Sequence, residues 1–476
     1  MSQINETAIR TPGVYTTEIP TLPPSVAQVS TAIPAFIGYT QKAVDEIGGS
    51  LTLVPTKIFS IKDYESFFGF AENETGISVN VNITTSGGAV TSMSAQALIT
   101  NPSVYNMYHS LRLYFDNGGG PCYIISVDAT TNPIDPNDFV AGLAALAAAD
   151  EPTIIVIPEG QALSEAGYYT NIIDKAIEQC RVLQDRFTLV DVHHPLPNAA
   201  SPNTTTTIAN FRAAFLKNDF LNYAAAYYPN LKTTLDYPYL TSDVDVIITT
   251  DGVAAAAVTL NTLQTTQTAV YNMSIDKIRN QLSPTLPPSP AIAGIYAKVD
   301  GSRGVWKAPA NVSLSSVYAV TDFITDAEQD DMNIDPATGK SVNAIRPFTG
   351  KGILVWGART LEGNSSEWKY ISVRRFFIMV EESAKKATFP FVFEPNDANT
   401  WVKVRAMLEN YLTLLWRQGA LAGAKPEHAF FVKCGLGQTM TSQDVLDGKL
   451  IVEIGMAAVR PAEFIILRFS HKLQES

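Results

Sequence analysis

The chain has 476 residues, more than one ordinary core accommodates, so about two to four domains are expected. Its 46% hydrophobic and 17% charged residues describe a globular polypeptide, and a formal net charge of −12 argues against a basic face for phosphate backbones, hence against direct nucleic-acid binding. No apolar run approaches the roughly 18 to 20 residues of a membrane span, residues 1–13 show no secretory leader, and the far-apart Cys122, Cys180 and Cys434 suit buried thiols in a reducing, cytoplasmic compartment.

The chain opens with Thr11-Pro12-Gly13 and a short β-prone segment, Val14 to Ile19, fenced by Pro20, Pro23 and Pro24. These prolines deny the segment a helix and restrict it to an edge pairing, either with its own sheet or elsewhere. From Val26 to Tyr39 the sequence turns apolar and predicts a buried strand. Ile77, Val79, Val81 and Ile83 then alternate up to Gly87-Gly88, the pattern of a hairpin insertion. Asn101-Pro102 reads as the cap and first residue of a helix with Val104, Tyr108, Leu111 and Phe115 inside, ended by Asn117-Gly118-Gly119-Gly120. A strand from Cys122 to Val127 follows.

Between about residues 150 and 245 apolar runs (Thr153 to Ile157, Phe187 to Val192, Tyr223 to Tyr227) alternate with helical stretches (Tyr168 to Leu183, Ile208 to Leu216). Such spacing predicts a parallel sheet with crossover helices. The threonine-rich part, Thr241 to Thr268 with its Asp251-Gly252 turn, reads as a β insertion, and Tyr271, Ile275, Ile278 and Leu282 form a helix stripe. Farther on, Trp401, Val404, Leu408, Tyr411, Leu412 and Leu415 fall on one side of a helix, with Lys403, Asn410 and Arg417 seven apart on the other. A hairpin is expected from Phe430 to Cys434 and Leu450 to Gly455. After Pro461 a final strand, Phe464 to Leu473, places Ile465, Leu467, Phe469 and Leu473 on one face.

The α/β middle invites a search for an active site. There is no G-x-S-x-G elbow. Asp191, His193 and His194 are the one acid–histidine cluster, and Asp191 and His193 would share a face, but no serine is placed by sequence for activation. Gly339-Lys340-Ser341 copies the end of a phosphate-binding loop, yet Ile334 stands where its first glycine belongs. Asp331, Asn333 and Asp335 imitate a calcium loop in which Pro336 replaces the turn glycine and Val342 the bidentate glutamate. No cofactor or metal is proposed from these.

Ordered stretches along nearly the whole chain carry a resemblance. They are Thr11-Pro12-Gly13-Val14-Tyr15, Ala32-Ile33-Pro34-Ala35-Phe36-Ile37-Gly38, Asn117-Gly118-Gly119-Gly120 and Tyr223-Ala224-Ala225-Ala226-Tyr227-Tyr228-Pro229. Pro287-Pro288-Ser289-Pro290, Gly304-Val305-Trp306-Lys307-Ala308-Pro309-Ala310-Asn311 and Gly352-Ile353-Leu354-Val355-Trp356-Gly357-Ala358-Arg359-Thr360 continue it. Tyr370-Ile371-Ser372-Val373-Arg374-Arg375, Trp416-Arg417-Gln418-Gly419-Ala420-Leu421 and Arg460-Pro461-Ala462-Glu463-Phe464 complete it. Together they resemble the contractile phage tail sheath family, which includes the sheaths of phage-tail-like bacteriocins and contractile injection systems. The stretches near 71–100 and 233–268 match no pattern of that family.

The resemblance implies an α/β (α+β overall), multidomain fold. It comprises an N-terminal arm (1–25), an N-terminal α+β domain (26–150), a subtilisin-like α/β middle domain without catalytic residues (151–345), a conserved α+β C-terminal sheath domain (346–460) and a C-terminal arm (461–476). It further implies a structural subunit and no enzyme, a helical homo-oligomer of stacked rings around an inner tail tube protein, with baseplate and tail terminator proteins as further partners. The particle would be assembled in the bacterial cytoplasm, as a virion tail or a phage-tail-like particle. By this likeness Val14, Tyr15, Thr16, Ile19, Phe464, Ile465, Leu467 and Phe469 would be lent to neighbouring subunits. The accepting hairpin would hold Phe431, Val432, Ile451, Val452 and Ile454, and Lys403, Asn410 and Arg417 would face the tube. The competing readings are an α/β hydrolase using Asp191 and His193, and another self-assembling shell protein with similar β-arms.

Overall fold

A computed structural model describes residues 26–193, 203–217 and 219–466, which form two compact units. The large unit is built on residues 29–381, to which 460–466 return; the small unit is built on 382–459, with residues 26–28. In the large unit β1 (Pro34–Thr40) is buried at every position, as a strand covered on both faces must be. After β2 (Thr56–Ile58) and α1 (Ile61–Phe68) come the long strands β3 (Ile77–Ser86) and β4 (Ala89–Ile99). Next are α2 (Met107–Asp116), β5 (Cys122–Ala129), α3 (Pro136–Leu146) and β6 (Ile154–Val156). α4 (Glu165–Tyr168) and α5 (Asp174–Leu183) lead to β7 (Phe187–Asp191), α6 (Thr204–Ala214) and β8 (Ala224–Tyr228).

β9 (Leu231–Thr233), β10 (Asp245–Thr250), β11 (Val253–Ala254) and β12 (Val258–Thr259) precede α7 (Leu260–Thr266) and α8 (Thr268–Gln281). β13 (Thr285–Leu286), α9 (Ser289–Arg303), β14 (Val312–Ser313) and β15 (Val317–Val320) follow. α10 (Asp326–Asn333), β16 (Val342–Phe348) and β17 (Gly352–Val355) come next, and α11 (Ile371–Thr388) runs across the division at 381/382. The small unit adds α12 (Ala398–Arg417), α13 (Pro426–Ala429), β18 (Phe430–Lys433), α14 (Ser442–Leu446) and β19 (Glu453–Met456).

The main sheet runs in the order β14-β17-β16-β8-β7-β6-β1-β5-β2. From β16 to β5 every pairing is parallel, as the alternation of apolar runs and helices predicts. The domain limits expected at 150/151 and 345/346 both fall inside this sheet. β1 is bonded to β5 on one side and β6 on the other, and β16, which contains 345/346, pairs with β8. Strand order in space departs from chain order, so a walk along the chain does not reveal these joins.

The two insertions are one body. β10 lies parallel to β3, with Val246 opposite Val79 and Ile248 opposite Val81, and β4 pairs antiparallel on the other side of β3. Ile77, Val79, Val81, Val246 and Ile248 share a core with Leu260 and Leu263 of α7 and Val270 and Ile278 of α8. The threonine-rich part is therefore not wholly β, since α7 occupies its last third. The buried face of α8 is Val270, Ser274 and Ile278, while Tyr271 and Ile275, expected inside, are only partly covered.

α2 begins at Met107 and not at Pro102. The intervening backbone is held otherwise: Asn101 has φ +52° and Ser103 N–H donates to the buried Glu74 carboxylate at 3.0 Å. Val104, expected inside, is exposed, whereas Leu111 is buried.

Candidate functional site

The carboxyl ends of the parallel strands, where open α/β sheets ordinarily hold ligands, carry Asp191 and His193 of the expected acid–histidine cluster. Asp191 ends β7 and is buried; its carboxylate accepts from Ser289 N–H at 2.8 Å and Ser289 Oγ at 2.6 Å, at the start of α9. Burial pushes this carboxyl up to about 7, against the pull of the two Ser289 bonds. His193 turns elsewhere. Its Nε2 donates to Leu163 O at 2.7 Å and its backbone N–H to the Tyr169 hydroxyl at 2.6 Å. No hydrogen bond joins Asp191 to His193 among the described residues, so the aspartate caps a helix instead of orienting an imidazole. His194 lies outside the described residues.

One strand over, Glu159 does the same for α2, and sequence reasoning missed it. Its carboxylate accepts from Tyr39 N–H at 2.7 Å and from Met107 N–H at 3.1 Å, the first residue of that helix. Gly38 makes room, since a Cβ there would stand 2.4 Å from Glu159 Oε2. Burial lifts this carboxyl to about 8 despite the backbone donors. The phosphate-loop and calcium-loop imitations are likewise consumed. Lys340 is buried and donates to Phe215 O, and Asp335 faces Arg212 at 3.3 Å.

The expected hairpin is a two-stranded antiparallel sheet, pairing Phe431 with Gly455, Val432 with Ile454 and Lys433 with Glu453. Ile451 and Val452, expected within it, precede β19. Val432 is buried on the face toward α12, while the Phe431 ring lies over Gly455, where a Cβ would meet its Cε1 at 2.2 Å. Ala457 N–H donates to Ala429 O at 2.8 Å, which marks that pair as hydrogen-bonded. Antiparallel pairs alternate, so the peptide groups of Ile454 and Met456 point away from β18, and those of Phe430 and Val432 away from β19. Phe430 N–H is taken by Pro426 O. Val432, Ile454 and Met456 have no backbone partner on those outer sides among the described residues. Each edge thus presents a template for a further strand.

α12 starts at Asp397, whose carboxylate accepts from Asn399 and Thr400 N–H, both at 3.0 Å. Val404, Met407, Leu408, Tyr411, Leu412 and Leu415 are its buried stripe. Lys403, Asn410 and Arg417 are exposed on the other side. Leu414, eleven residues after Lys403 and so about 20° from it around the axis, is also exposed and gives that line an apolar member.

Of the expected arms, Val14, Tyr15, Thr16, Ile19, Leu467 and Phe469 lie outside the described residues. Phe464 and Ile465, expected in a strand, lie in irregular backbone together with Ile466, and all three are exposed. Nothing within the described chain supplies the neighbouring strand that would order them. Just before them, Glu463 is gripped by Arg359 (Nε–Oε1 2.9 Å, Nη2–Oε2 2.7 Å), Asn333 Nδ2 at 2.7 Å and the Tyr370 hydroxyl at 3.2 Å.

Residues 364–472 match the phage tail sheath C-terminal domain. A 200-residue stretch, 42% of the chain, is 24% identical to the tail sheath protein of Vibrio phage KVP40 and spans only 28% of that protein. Among solved structures, the chain is 32% identical to one of the anti-feeding prophage (AFP) helical sheath in its contracted state, covering 98% of this chain and 100% of that one with a TM-score of 0.63. It is 31% identical to one of the PVC sheath complex of an extracellular contractile injection system, also contracted, with 98% and 99% coverage and a TM-score of 0.63.

Proposed function

Because the chain belongs to the contractile tail sheath family, the structural sheath of contractile injection particles, we propose that it polymerises helically around an inner tube and contracts to drive that tube through a target envelope. The observation that carries this reading is the end-to-end likeness, at 31–32% identity, to sheaths whose structures are of the contracted state. Its partners on this reading are copies of itself, the tube protein, and baseplate and terminator proteins. The particle is assembled in the bacterial cytoplasm. The parallel part of the main sheet stands for the subtilisin-like domain, with its carboxyl edge given over to helix caps.

Copies are joined by strand lending. The segments Val14 to Ile19 and Phe464 to Leu473 cross to neighbours and add to the β18–β19 sheet, and the 382–459 unit is the acceptor domain. The open edge groups of Val432, Ile454 and Met456 support this, since a lone two-stranded sheet is marginal in water and gains from each added strand. Lent strands keep the mesh connected while subunits rotate, and contraction then draws on energy stored at assembly. Lys403, Asn410 and Arg417 on α12 rest on the tube before contraction.

Deleting residues 1–19, or everything after Arg460, should leave a soluble, folded chain that builds no tubules in negative-stain micrographs. Ordered tubules from either truncation would refute strand lending.

A further inference from the structure

If the chain lends strands, each strand must be anchored somewhere in its own subunit, and the hydrogen bonds show where. The C-terminal segment leaves β19, and Val459 N–H still bonds Ala420 O within the small unit at 3.2 Å. Four residues later Glu463 is held in the large unit by both nitrogens of an Arg359 fork, by Asn333 and by Tyr370. Arg359 is itself held on several sides: it is buried, its Nη1 donates to Asn333 O and Gly363 O (each 3.2 Å), and Asn343 bonds both its backbone N–H and its C=O. Bidentate charge-assisted pairs of this kind are among the strongest polar contacts available. Immediately beyond it Phe464, Ile465 and Ile466 are exposed.

The other end has a matching device. Thr31 Oγ1 donates to Asp300 at 2.6 Å, Arg375 Nη2 donates to Thr31 O at 2.8 Å, and Arg375 and Asp300 form a buried pair at 2.6 Å. Thr31 too belongs to the large unit, whereas residues 26–28 just before it group with the small one.

We propose that Glu463 is a latch fixing the root of the C-terminal arm to the large unit, and that Thr31, through Arg375 and Asp300, does the same for the N-terminal arm. This rests on the strand-lending reading. It moves the hinge of the C-terminal arm from Pro461 to Phe464 and divides the labour within each chain. Both strands are rooted in the unit that holds the main sheet, at Glu463 and at Thr31, and borrowed strands are received on the unit that holds β18 and β19. Pull on a lent strand is then resisted by two buried arginines set in the large unit.

The test uses the full chain with Glu463→Ala and Glu463→Gln, the latter keeping the side-chain shape should the former fail to fold. In the unassembled protein, chymotryptic release of peptide 465–476 should quicken on the order of 10- to 100-fold in Glu463→Ala and less in Glu463→Gln, while cleavage after the exposed Phe393 stays unchanged. The concentration needed for tubules should rise about tenfold, as expected for a root left loose before docking. Wild-type release rates in both variants would overturn the latch, whatever the tubules do. Faster release with tubules at the wild-type concentration would overturn its role in assembly. Tubules from the chain cut after Arg460 would instead sink strand lending, leaving the release rates to decide the latch.

Discussion

Replacing Glu159 with glutamine should change how the stability of the large unit depends on pH. The carboxyl is buried, with an ordinary value of 4.5 raised to about 8 by burial. Between these values the folded chain holds a proton that the unfolded chain has released, so stability must fall as pH rises. Below about 4.5 the contribution is complete, and it is lost as pH climbs through about 8. At 1.36 kcal/mol per unit, the shift corresponds to about 5 kcal/mol across that window. Glutamine keeps the shape but sets an NH2, two donors and no acceptor, where one carboxyl oxygen accepts a backbone N–H, so at pH 5 the variant should be the weaker by about 1–3 kcal/mol. Toward pH 9 the wild type alone loses most of the full amount, so the difference should shrink and then reverse. Urea unfolding followed by tryptophan fluorescence reads this, with Trp401 and Trp416 changed to phenylalanine so that Trp306, Trp356 and Trp368 report on the large unit alone. Titrations common to both proteins, Asp191 included, cancel in the difference. A difference that stays constant from pH 5 to pH 9 would refute the reasoning.

Two further outcomes follow from the proposed assembly surfaces. Gly455→Val forces the half-exposed Phe431 ring off its seat toward solvent, at a cost of about 1 kcal/mol. Exchange of the amides at positions 431 and 455 should accelerate about fivefold and tubules should be lost, whereas unchanged exchange would show that the ring does not set the hairpin. Lys403→Glu with Arg417→Glu alters two exposed positions and should leave the melting temperature within about 1 °C. Sheath forming on inner tubes should drop about tenfold while empty tubules persist, as for an interface charge that steers docking; equal loading on tubes would place that contact elsewhere.

What the sequence disclosed was local. Continuous apolar runs gave β1, β6, β7 and β8, because strands buried on both faces need no alternation. The Gly87-Gly88 hairpin and the inner stripe of α12 were equally plain, the first from period two and the second from period 3.6. What it concealed was made by contacts between distant residues. β3 and β10 are joined by backbone hydrogen bonds that leave no mark in side-chain chemistry. Glu159, between Pro158 and Gly160, looks like any acidic turn residue, and only its apolar surroundings in space make it a buried cap. Arg359 and Glu463 each sit in a stretch that resembles the sheath family, yet 104 residues separate them and nothing in either stretch names the other. The Pro102 cap failed for the same reason, since Glu74, far upstream, holds Ser103 out of the helix.

The carboxyl edge of the sheet bears on the enzyme question more directly than any missing motif. Glu159 and Asp191 follow adjacent parallel strands, the position from which an α/β enzyme presents acids to a substrate. Here each is spent on the first turn of a helix, and those two helices, α2 and α9, pack so closely that a Cβ on Gly294 would stand 2.5 Å from Tyr114 O. Freeing either carboxylate for chemistry would strip a helix N-terminus of its buried acceptor, at a cost of about 1–3 kcal/mol for each donor left unpaired. The arrangement holds helices to the sheet at the expense of a reactive edge. On the proposed reading that exchange suits the subunit: the large unit must stay rigid under the pull of both lent strands, and the freedom contraction needs begins beyond Glu463 and before Thr31.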